Sequence, residues 1–393
     1  MLSAVAFAVA VGFGIVAPAI PVFAREFGVG RTAAGAVISV FALLRFVSAV
    51  ACGRLVDRLG ERTVLATGLG IVAVSSALAG LAQTYWQLLV LRGAGGVGSA
   101  MFTVAAYSLL LRVADADRRG RATGAFQGGF LIGGIAGPAF GGPLTGASVR
   151  LPFFVYAGTL AVAGGIAVGA LVRMAPRVPG EPAAGGTEEA QRTSLATALR
   201  DRSYRAALLT NVGSGWALFG VRSSLIPLFV VEGLRRGPEW TGIGFVLGSA
   251  AQAALLLPAG RFADERGRKP AMVLGSSLAT GSMLLLAVSA TVPAYVVAMV
   301  LFGTGAAFLG VAPAAVVGDT VRGRGGSVVA VFQMAGDFGA IVGPLVAGWL
   351  ADSASFGAAW GSVAAVLAIG LAASVTMPRR PVPVPDGPDP RPG

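Results

Sequence analysis

Long apolar runs alternate along the chain with short segments that hold nearly all of its charged residues. A helix needs about 20 apolar residues to cross the hydrocarbon core of a bilayer. Runs of this kind predict twelve membrane-spanning helices, at residues 2–22, 33–52, 64–82, 87–111, 123–148, 152–172, 206–231, 241–259, 271–290, 292–317, 327–351 and 357–377. The charged residues inside these runs are Arg45, Arg92, Arg222 and Asp337.

The composition supports an all-α integral membrane protein. Of the 393 residues, 55 % are hydrophobic and 12 % are charged, whereas a soluble protein carries roughly 25 % charged residues. The chain has no histidine, the most common general base, and its single cysteine, Cys52, can form neither an internal disulfide nor a zinc cluster. These features argue against an enzyme, and we expect no metal site and no cofactor.

The basic residues are distributed unequally between the two sides of the predicted bundle. The loops on the side of residues 53–63, together with the tail, hold 22 Arg and Lys residues, and the opposite loops hold five. Because cytoplasmic loops are enriched in basic residues, this asymmetry predicts a multi-pass protein of the plasma (inner) membrane with both termini cytoplasmic. Topology and contact with membrane lipid explain the net charge of +12, and no basic stripe indicates nucleic-acid binding.

The sequence consists of two related halves. The charged decapeptide GRLVDRLGER at 53–62 resembles GRFADERGRK at 260–269, and shorter elements such as FQ at 126–127 recur with a similar shift of 206 residues. Paired six-helix halves are typical of secondary transporters, whose substrate site lies between the repeats. We therefore expect six-helix bundles at 1–173 and 205–378, a flexible cytoplasmic linker at 174–204 and a proline-rich cytoplasmic tail at 379–393.

The two decapeptides give the most specific signal. The first fits the pattern G-x-L-x-D-R-x-G-x-R, which resembles the signature of the major facilitator superfamily in the loop between helices 2 and 3. The resemblance implies two pseudo-symmetric six-helix bundles that rock about a central interface. It also implies a cytoplasmic gate formed by Gly53, Asp57, Arg58, Gly60, Arg62, Gly260, Asp264, Gly267, Arg268 and Lys269. Ordinary topogenic loop charge is the alternative explanation for these residues.

Three further segments resemble the twelve-helix drug:proton antiporters of that superfamily. VGFGIVAPAIP at 11–21 matches their helix-1 pattern, and LRGAGGVG at 91–98 matches a helix-4 motif whose arginine is Arg92. The helix-5 motif G-x-x-x-G-P-x-x-G-G is present as Gly133, Gly137, Pro138, Gly141 and Gly142. A face of small residues lets two helices touch, and the resemblance implies that this face seals the two halves together, with a kink at the proline. Generic helix packing is the alternative.

The charges inside the apolar runs are candidate functional residues, because a charge in mid-membrane is costly. Asp337 is the acidic one, and Arg45 lies at a similar depth in another predicted helix, so we predict a pair that bridges the halves. Arg222 is the rival partner. Burial favours a protonated carboxyl group and a nearby arginine favours the ionised one, so a separable pair could couple transport to protons. A static structural ion pair remains the alternative.

The predicted function is alternating-access transport of a small molecule, with proton-coupled efflux of hydrophobic compounds or drugs preferred. The chain lacks acidic residues in its first six runs, unlike many proton-coupled exporters, so a uniporter is also considered. The sequence also fits a carrier for a specific nutrient or metabolite or, from a different class, a non-transporting membrane receptor, and we expect a monomer. An aromatic cavity would suit hydrophobic, even cationic, substrates. Its candidate residues are Phe13, Phe102, Trp216, Phe219 and Phe308.

Overall fold

The structure, a computed structural model, describes residues 2–113, 119–172, 195–320 and 326–378. Within these ranges it consists of helices and short connections, and it contains no β-strand. The α-helices are α1 (Leu2–Val16), α2 (Ala19–Glu26), α3 (Arg31–Leu59), α4 (Glu61–Gly80), α5 (Tyr85–Val113), α6 (Arg119–Ala147), α7 (Leu151–Val172), α8 (Leu195–Arg200), α9 (Arg202–Ser214), α10 (Arg222–Leu228), α11 (Glu239–Glu265), α12 (Arg268–Val288), α13 (Val292–Thr320), α14 (Gly326–Ser353) and α15 (Phe356–Val375). Two π-helical segments, Gly215–Val221 and Phe229–Gly233, flank α10.

These helices form twelve spans, as the apolar runs predict. Nine helical segments in the described ranges are long and apolar enough to cross a membrane, and α1 with α2, bent by 40° relative to each other, makes a tenth. α6 and α7, with 29 and 22 residues, complete the set. The seventh span is one continuous helix from Arg202 to Gly233, in which α9, α10 and the two π-helical segments follow one another.

Several spans extend beyond their apolar runs, and the expectation that the charged decapeptides form loops is wrong for most of their residues. α3 continues to Leu59 and α11 to Glu265, so both decapeptides are largely helical. A helix of 29 residues is about 43 Å long, whereas the hydrocarbon core is about 30 Å thick. Charged residues can therefore continue a helix where it projects from the membrane. The connection after α3 is reduced to Gly60, with a φ of 79°, and the corresponding residue before α12 is Gly267, with a φ of 96°.

The two halves pack in the same way internally. In the first half the rings of Phe23 and Phe153 lie 5.5 Å apart, and in the second half Phe229 and Trp360 lie 5.5 Å apart. Phe23 and Phe229 differ by 206 residues, which is the shift of the sequence repeat. The packing of the structure thus reproduces the duplication that the sequence predicts.

Close approaches between helices follow the same repeat. A Cβ atom on Gly68 of α4 would lie 2.7 Å from the carbonyl oxygen of Gly98 on α5. One on Gly275 of α12 would lie 3.1 Å from the carbonyl oxygen of Gly305 on α13. Only a residue without a side chain fits these crossings, and each half uses it at the matching pair of helices.

Two helix pairs make the most extensive contacts between the halves, α3 with α14 and α6 with α11, and α10 adds smaller contacts with α2 and α3. Both of the extensive contacts depend on glycine. A Cβ atom on Gly35 of α3 would lie 2.6 Å from the carbonyl oxygen of Pro344, and one on Gly142 of α6 would lie 2.6 Å from the Cα atom of Gly242.

The helix-5 motif mostly packs within its own half, whereas the resemblance implies that it seals the two halves together. The approaches of Gly133, Gly137 and Gly141 are to α1 of the same bundle, and only Gly142 of the motif meets the opposite bundle. Successive glycines at this spacing fall on one helical face, and that face is turned toward α1. Pro138 belongs to α6, but its side chain lies outside the described part of the structure.

The predicted linker and tail fall largely outside the described residues, which omit 173–194 and 379–393. The remainder of the linker, which we expected to be flexible, is helical: it comprises α8 and the start of α9. Asp201 caps α9 through a hydrogen bond that its side chain accepts from the Ser203 backbone N–H.

Candidate functional site

The central contact between the halves is the predicted pair of Arg45 and Asp337. The Arg45 Nη2 atom donates a hydrogen bond of 2.7 Å to Asp337 Oδ1. Arg45 lies 14 residues from either end of α3, or about 21 Å, and Asp337 lies 11 residues from the start of α14. Nearby on the same helices, the Ser39 hydroxyl donates a 2.7 Å hydrogen bond to the Ile341 carbonyl. The pair therefore bridges the two halves near the middle of the membrane.

Arg222, the rival partner of Asp337, points elsewhere. Its Nη2 atom donates to Ser249 Oγ at 3.0 Å and to the Phe245 carbonyl at 3.3 Å, both on α11 of its own half. Its guanidinium carbon lies 4.8 Å from the centre of the Phe245 ring. Among the residues that the structure describes, no carboxylate pairs with Arg222.

Arg92 is enclosed within the first half, with only 3 % of its surface exposed. Its guanidinium carbon lies 4.5 Å from the centre of the Phe41 ring, and its Nε atom has no hydrogen-bond partner in the described residues. Phe13, a predicted cavity residue, is half-buried beside the same ring at a centroid distance of 6.2 Å. A cation–π contact, rather than a carboxylate, thus accompanies this buried charge.

The other predicted cavity aromatics lie in separate places and do not surround one common space. Phe102, with 2 % of its surface exposed, packs inside the first half against Phe130, and Phe308 packs inside the second half against Phe262. Trp216 is buried against Gly343 of α14. These three side chains do not line an open cavity in this conformation, because they fill grooves between helices of their own bundle. Phe219 is 68 % exposed.

A second group of charged contacts joins the halves at the end of the bundle that holds the α2–α3 turn, which we call the distal end. Glu232 pairs through Oε1 with Arg25 Nε at 2.8 Å and through Oε2 with Arg31 Nη2 at 2.8 Å. Asp352 accepts hydrogen bonds from the backbone N–H groups of Arg31 and Thr32, at 2.9 and 2.8 Å. We call Arg25, Arg31, Glu232 and Asp352 the distal cluster.

The distal cluster was not predicted from the sequence. Arg25 and Arg31 are two of the five basic residues of the loops opposite residues 53–63, and neither acid was a candidate site residue. A signal was nevertheless present, because all four residues lie just outside apolar runs on the same side of the predicted bundle. The bases belong to the first half and the acids to the second.

At the opposite end, which we call the motif end, Arg268 and Lys269 of the second decapeptide contact residues of their own half. Asp57 and Arg58 are exposed and make no hydrogen bond or ion pair with described residues. Arg268 pairs with Asp264 and, at 3.3 Å, with Asp319, while Lys269 donates to the Met377 carbonyl at 2.7 Å. Those contacts stay within the second half, so a gate between the halves at this end remains a prediction.

Sequence comparison finds relatives among resistance proteins. Multidrug resistance protein 1 of Bacillus subtilis (strain 168) is 31 % identical over 143 residues, which are 36 % of this chain and 37 % of that protein. Quinolone resistance protein NorA of Staphylococcus aureus (strain MRSA252) is 27 % identical over 156 residues, or 40 % of each chain. These matches span about two fifths of the length of the curated relatives.

Solved structures share the whole fold. A bacterial homolog of the human lysosomal transporter Spinster, in an inward-facing and occupied conformation, gives a TM-score of 0.74 at 15 % identity, covering 95 % of this chain and 94 % of that chain. The human organic anion transporter MFSD10 (TETRAN) gives 0.67 at 17 % identity, covering 95 % and 97 %. At such identities the likeness concerns the fold alone.

The family assignment rests on a match along nearly the whole chain. The model of the Major Facilitator Superfamily matches residues 2–251 and 223–393, so both bundles are included. The twelve-span architecture, the internal repeat and the paired halves agree with this match. The chain therefore belongs to the Major Facilitator Superfamily, whose members are membrane transporters.

Proposed function

We propose that the chain exports small hydrophobic compounds in exchange for protons by alternating access. In this proposal it is a monomer in the plasma membrane with both termini cytoplasmic. The distal end then faces the outside, and the motif end faces the cytoplasm. The partial matches to two resistance proteins support export of this kind.

The observation that carries the proposal is the ion pair between Arg45 and Asp337. Among the described contacts between the halves, this pair combines a titratable carboxylate with a position near the middle of the membrane. Protonation of the Asp337 carboxylate would remove the charge that Arg45 holds and would weaken the contact between α3 and α14. A proton taken up at this site can therefore change how firmly the two halves are joined.

The distal cluster supports a transport cycle, because it joins the halves at the end that faces the outside in this proposal. Alternating access requires that the two ends be sealed in turn, and the distal cluster would be the seal of the outer end. In the proposed cycle a substrate enters at the motif end and leaves at the distal end after the halves have rocked.

Substitution of Asp337 tests the proposal. Purified protein in liposomes is given an imposed pH gradient, and transport of fluorescent hydrophobic dyes of both charge signs is followed. We expect Asp337→Asn to reduce proton-driven accumulation at least about tenfold, because the amide can neither bind nor release the coupling proton. Downhill exchange of the same dyes should persist, since the substrate path is intact.

Glu26→Gln is the matched control, because Glu26 is exposed and makes no ion pair with described residues. It should transport as the wild type does. Proton-driven transport that is equal in Asp337→Asn and wild type would exclude this carboxylate from coupling. Flux that ignores the pH gradient in the wild type would instead indicate a uniporter.

A further inference from the structure

Arg222 occupies an unusual place in the seventh span. It begins α10 directly after the π-helical segment Gly215–Val221, and it lies 11 residues, or about 16 Å, from Gly233 at the distal end. π-helical segments are rare and occur frequently at functional sites. The position places a permanent positive charge within the membrane on a span that contacts the opposite half.

The guanidinium group of Arg222 is held on one side and open on the other. Nη2 makes both described hydrogen bonds, to Ser249 Oγ and to the Phe245 carbonyl, and the Phe245 ring lies beneath the group. Nε and Nη1 make no hydrogen bond with a described residue. The residue is partly exposed, and neither atom is among the enclosed polar atoms that lack a partner, so both donors keep accessible surface.

The charge balance of the interior favours a particular substrate. Arg45 and Asp337 neutralise each other, whereas Arg92 and Arg222 have no carboxylate partner among the described residues. Mid-membrane positions therefore carry an excess of two positive charges. In a medium of low dielectric constant such charges repel a cation and attract an anion strongly. An unpaired intramembrane charge is costly, and a functional role explains why one is present.

We propose that Arg222 is a specificity-determining residue that binds the anionic group of the substrate. This inference rests on the proposed function and names its substrate class: hydrophobic compounds that bear a carboxylate or sulfonate. Nε and Nη1 form a planar fork that matches two oxygens of such a group, and Phe245 supplies apolar surface beside it. Arg92 does not compete for this role, because it is enclosed. The proposal thus differs from the sequence-based expectation, in which an aromatic cavity would also suit cationic substrates.

A pair of probes with the same aromatic body and opposite charges tests the inference. Pyrene-1-sulfonate and (pyren-1-yl)methyl-trimethylammonium are titrated against the protein in nanodiscs, with empty nanodiscs subtracted. We expect the wild type to bind the sulfonate at least about tenfold more tightly, a difference of ~1.4 kcal/mol. Arg222→Gln should abolish this preference by weakening sulfonate binding alone. Arg236→Gln, a change of an exposed arginine near the distal end, should preserve it.

Arg222→Lys separates charge from geometry. It keeps the positive charge but lacks the fork, so it should retain the preference for the anion with several-fold weaker sulfonate binding. If Arg222→Gln fails to fold, as judged by thermal unfolding, Arg222→Lys still tests the role of Arg222 in sulfonate binding. A wild type that prefers the ammonium probe would overturn the inference. So would an equal loss of both probes in Arg222→Gln, or sulfonate binding by Arg222→Lys equal to that of the wild type.

The two proposals fail in distinguishable ways. Proton-driven export of the ammonium probe but not of the sulfonate would retain the proposed function and refute the role of Arg222. Preferential sulfonate binding without any proton-driven flux would retain the role of Arg222 and refute proton-coupled export.

Discussion

Removal of the shared carboxylate of the distal cluster should shift the protein toward the conformation that is open at the distal end. Glu232 contacts two arginines of the opposite half, and it alone links Arg25 to the second half in the described contacts. The substitution Glu232→Gln keeps the size of the side chain and one acceptor oxygen, and it removes the charge. The seal therefore loses its negative charge and one of its two hydrogen-bond acceptors, while the volume of the side chain is kept.

The size of the effect follows from the exposure of the pairs. The side chains of Arg25, Arg31 and Glu232 are 34, 24 and 21 % exposed, so solvent screens them in part. Each partly exposed pair contributes about 0.5–1 kcal/mol, and the two together about 1–2 kcal/mol. Since 1.4 kcal/mol corresponds to a factor of about ten, the ratio of distal-open to distal-closed protein should rise about 5- to 30-fold.

Distance measurements between spin labels can detect this shift. Labels at Gln83 and Ala290 report on the distal end, because both residues are exposed in connections there, one in each half. Cys52 is buried and is replaced by alanine so that only the labels react. In nanodiscs, Glu232→Gln should increase the population with the longer distance.

Two controls make the result decisive. Glu239→Gln is a matched change at the distal end of a residue that makes no ion pair with described residues, and it should leave the distances unchanged. High salt should move the wild type in the same direction as Glu232→Gln, because it screens partly exposed pairs. Equal distance distributions in wild type and Glu232→Gln would refute the assignment of the distal cluster as a seal.

Two further substitutions test the packing. Gly142→Leu should lengthen the same distal distance and reduce transport at least about tenfold, because its Cβ atom would lie 2.6 Å from the Gly242 Cα atom. Gly134→Leu, at a glycine with open space around it, should change neither the distance nor transport. Equal effects of the two substitutions would contradict the contact between Gly142 and Gly242. Trp360→Ala should lower the free energy of unfolding by about 3–5 kcal/mol in denaturant titrations, because Trp360 is fully buried, whereas the exposed Trp349→Ala should cost about 1 kcal/mol or less. Similar losses for the two tryptophans would refute the core assignment.

The sequence was sufficient for the architecture and for the central ion pair. Span number and duplication follow from hydropathy and from repeated motifs, which are properties of the chain itself. The contact between Arg45 and Asp337 was predictable because depth in a membrane can be counted along each helix, and few charges compete at that depth.

Contacts that depend on helix rotation were not predictable. Phe102 and Phe308 are among the aromatic residues expected to line a cavity, but both side chains are turned into their own bundles. Hydropathy does not fix the rotation of a span, because apolar residues occur on its lipid-facing and buried sides alike. The distal cluster was missed for a related reason: its four charges come from separate spans, and only the packed structure brings them together.

The placement of the central pair bears on how the proposed cycle could separate it. α3 carries both Arg31 and Arg45, and α14 carries their partners Asp352 and Asp337. A tilt of about 10° about the midpoint of α3 would move its ends by about 4 Å, since each end is about 21 Å away. That movement breaks the contact at the distal end but leaves the central pair almost unmoved. Rocking alone therefore leaves Arg45 and Asp337 paired, so in the proposed cycle protonation of Asp337, and not the tilt of α3, is the step that separates them.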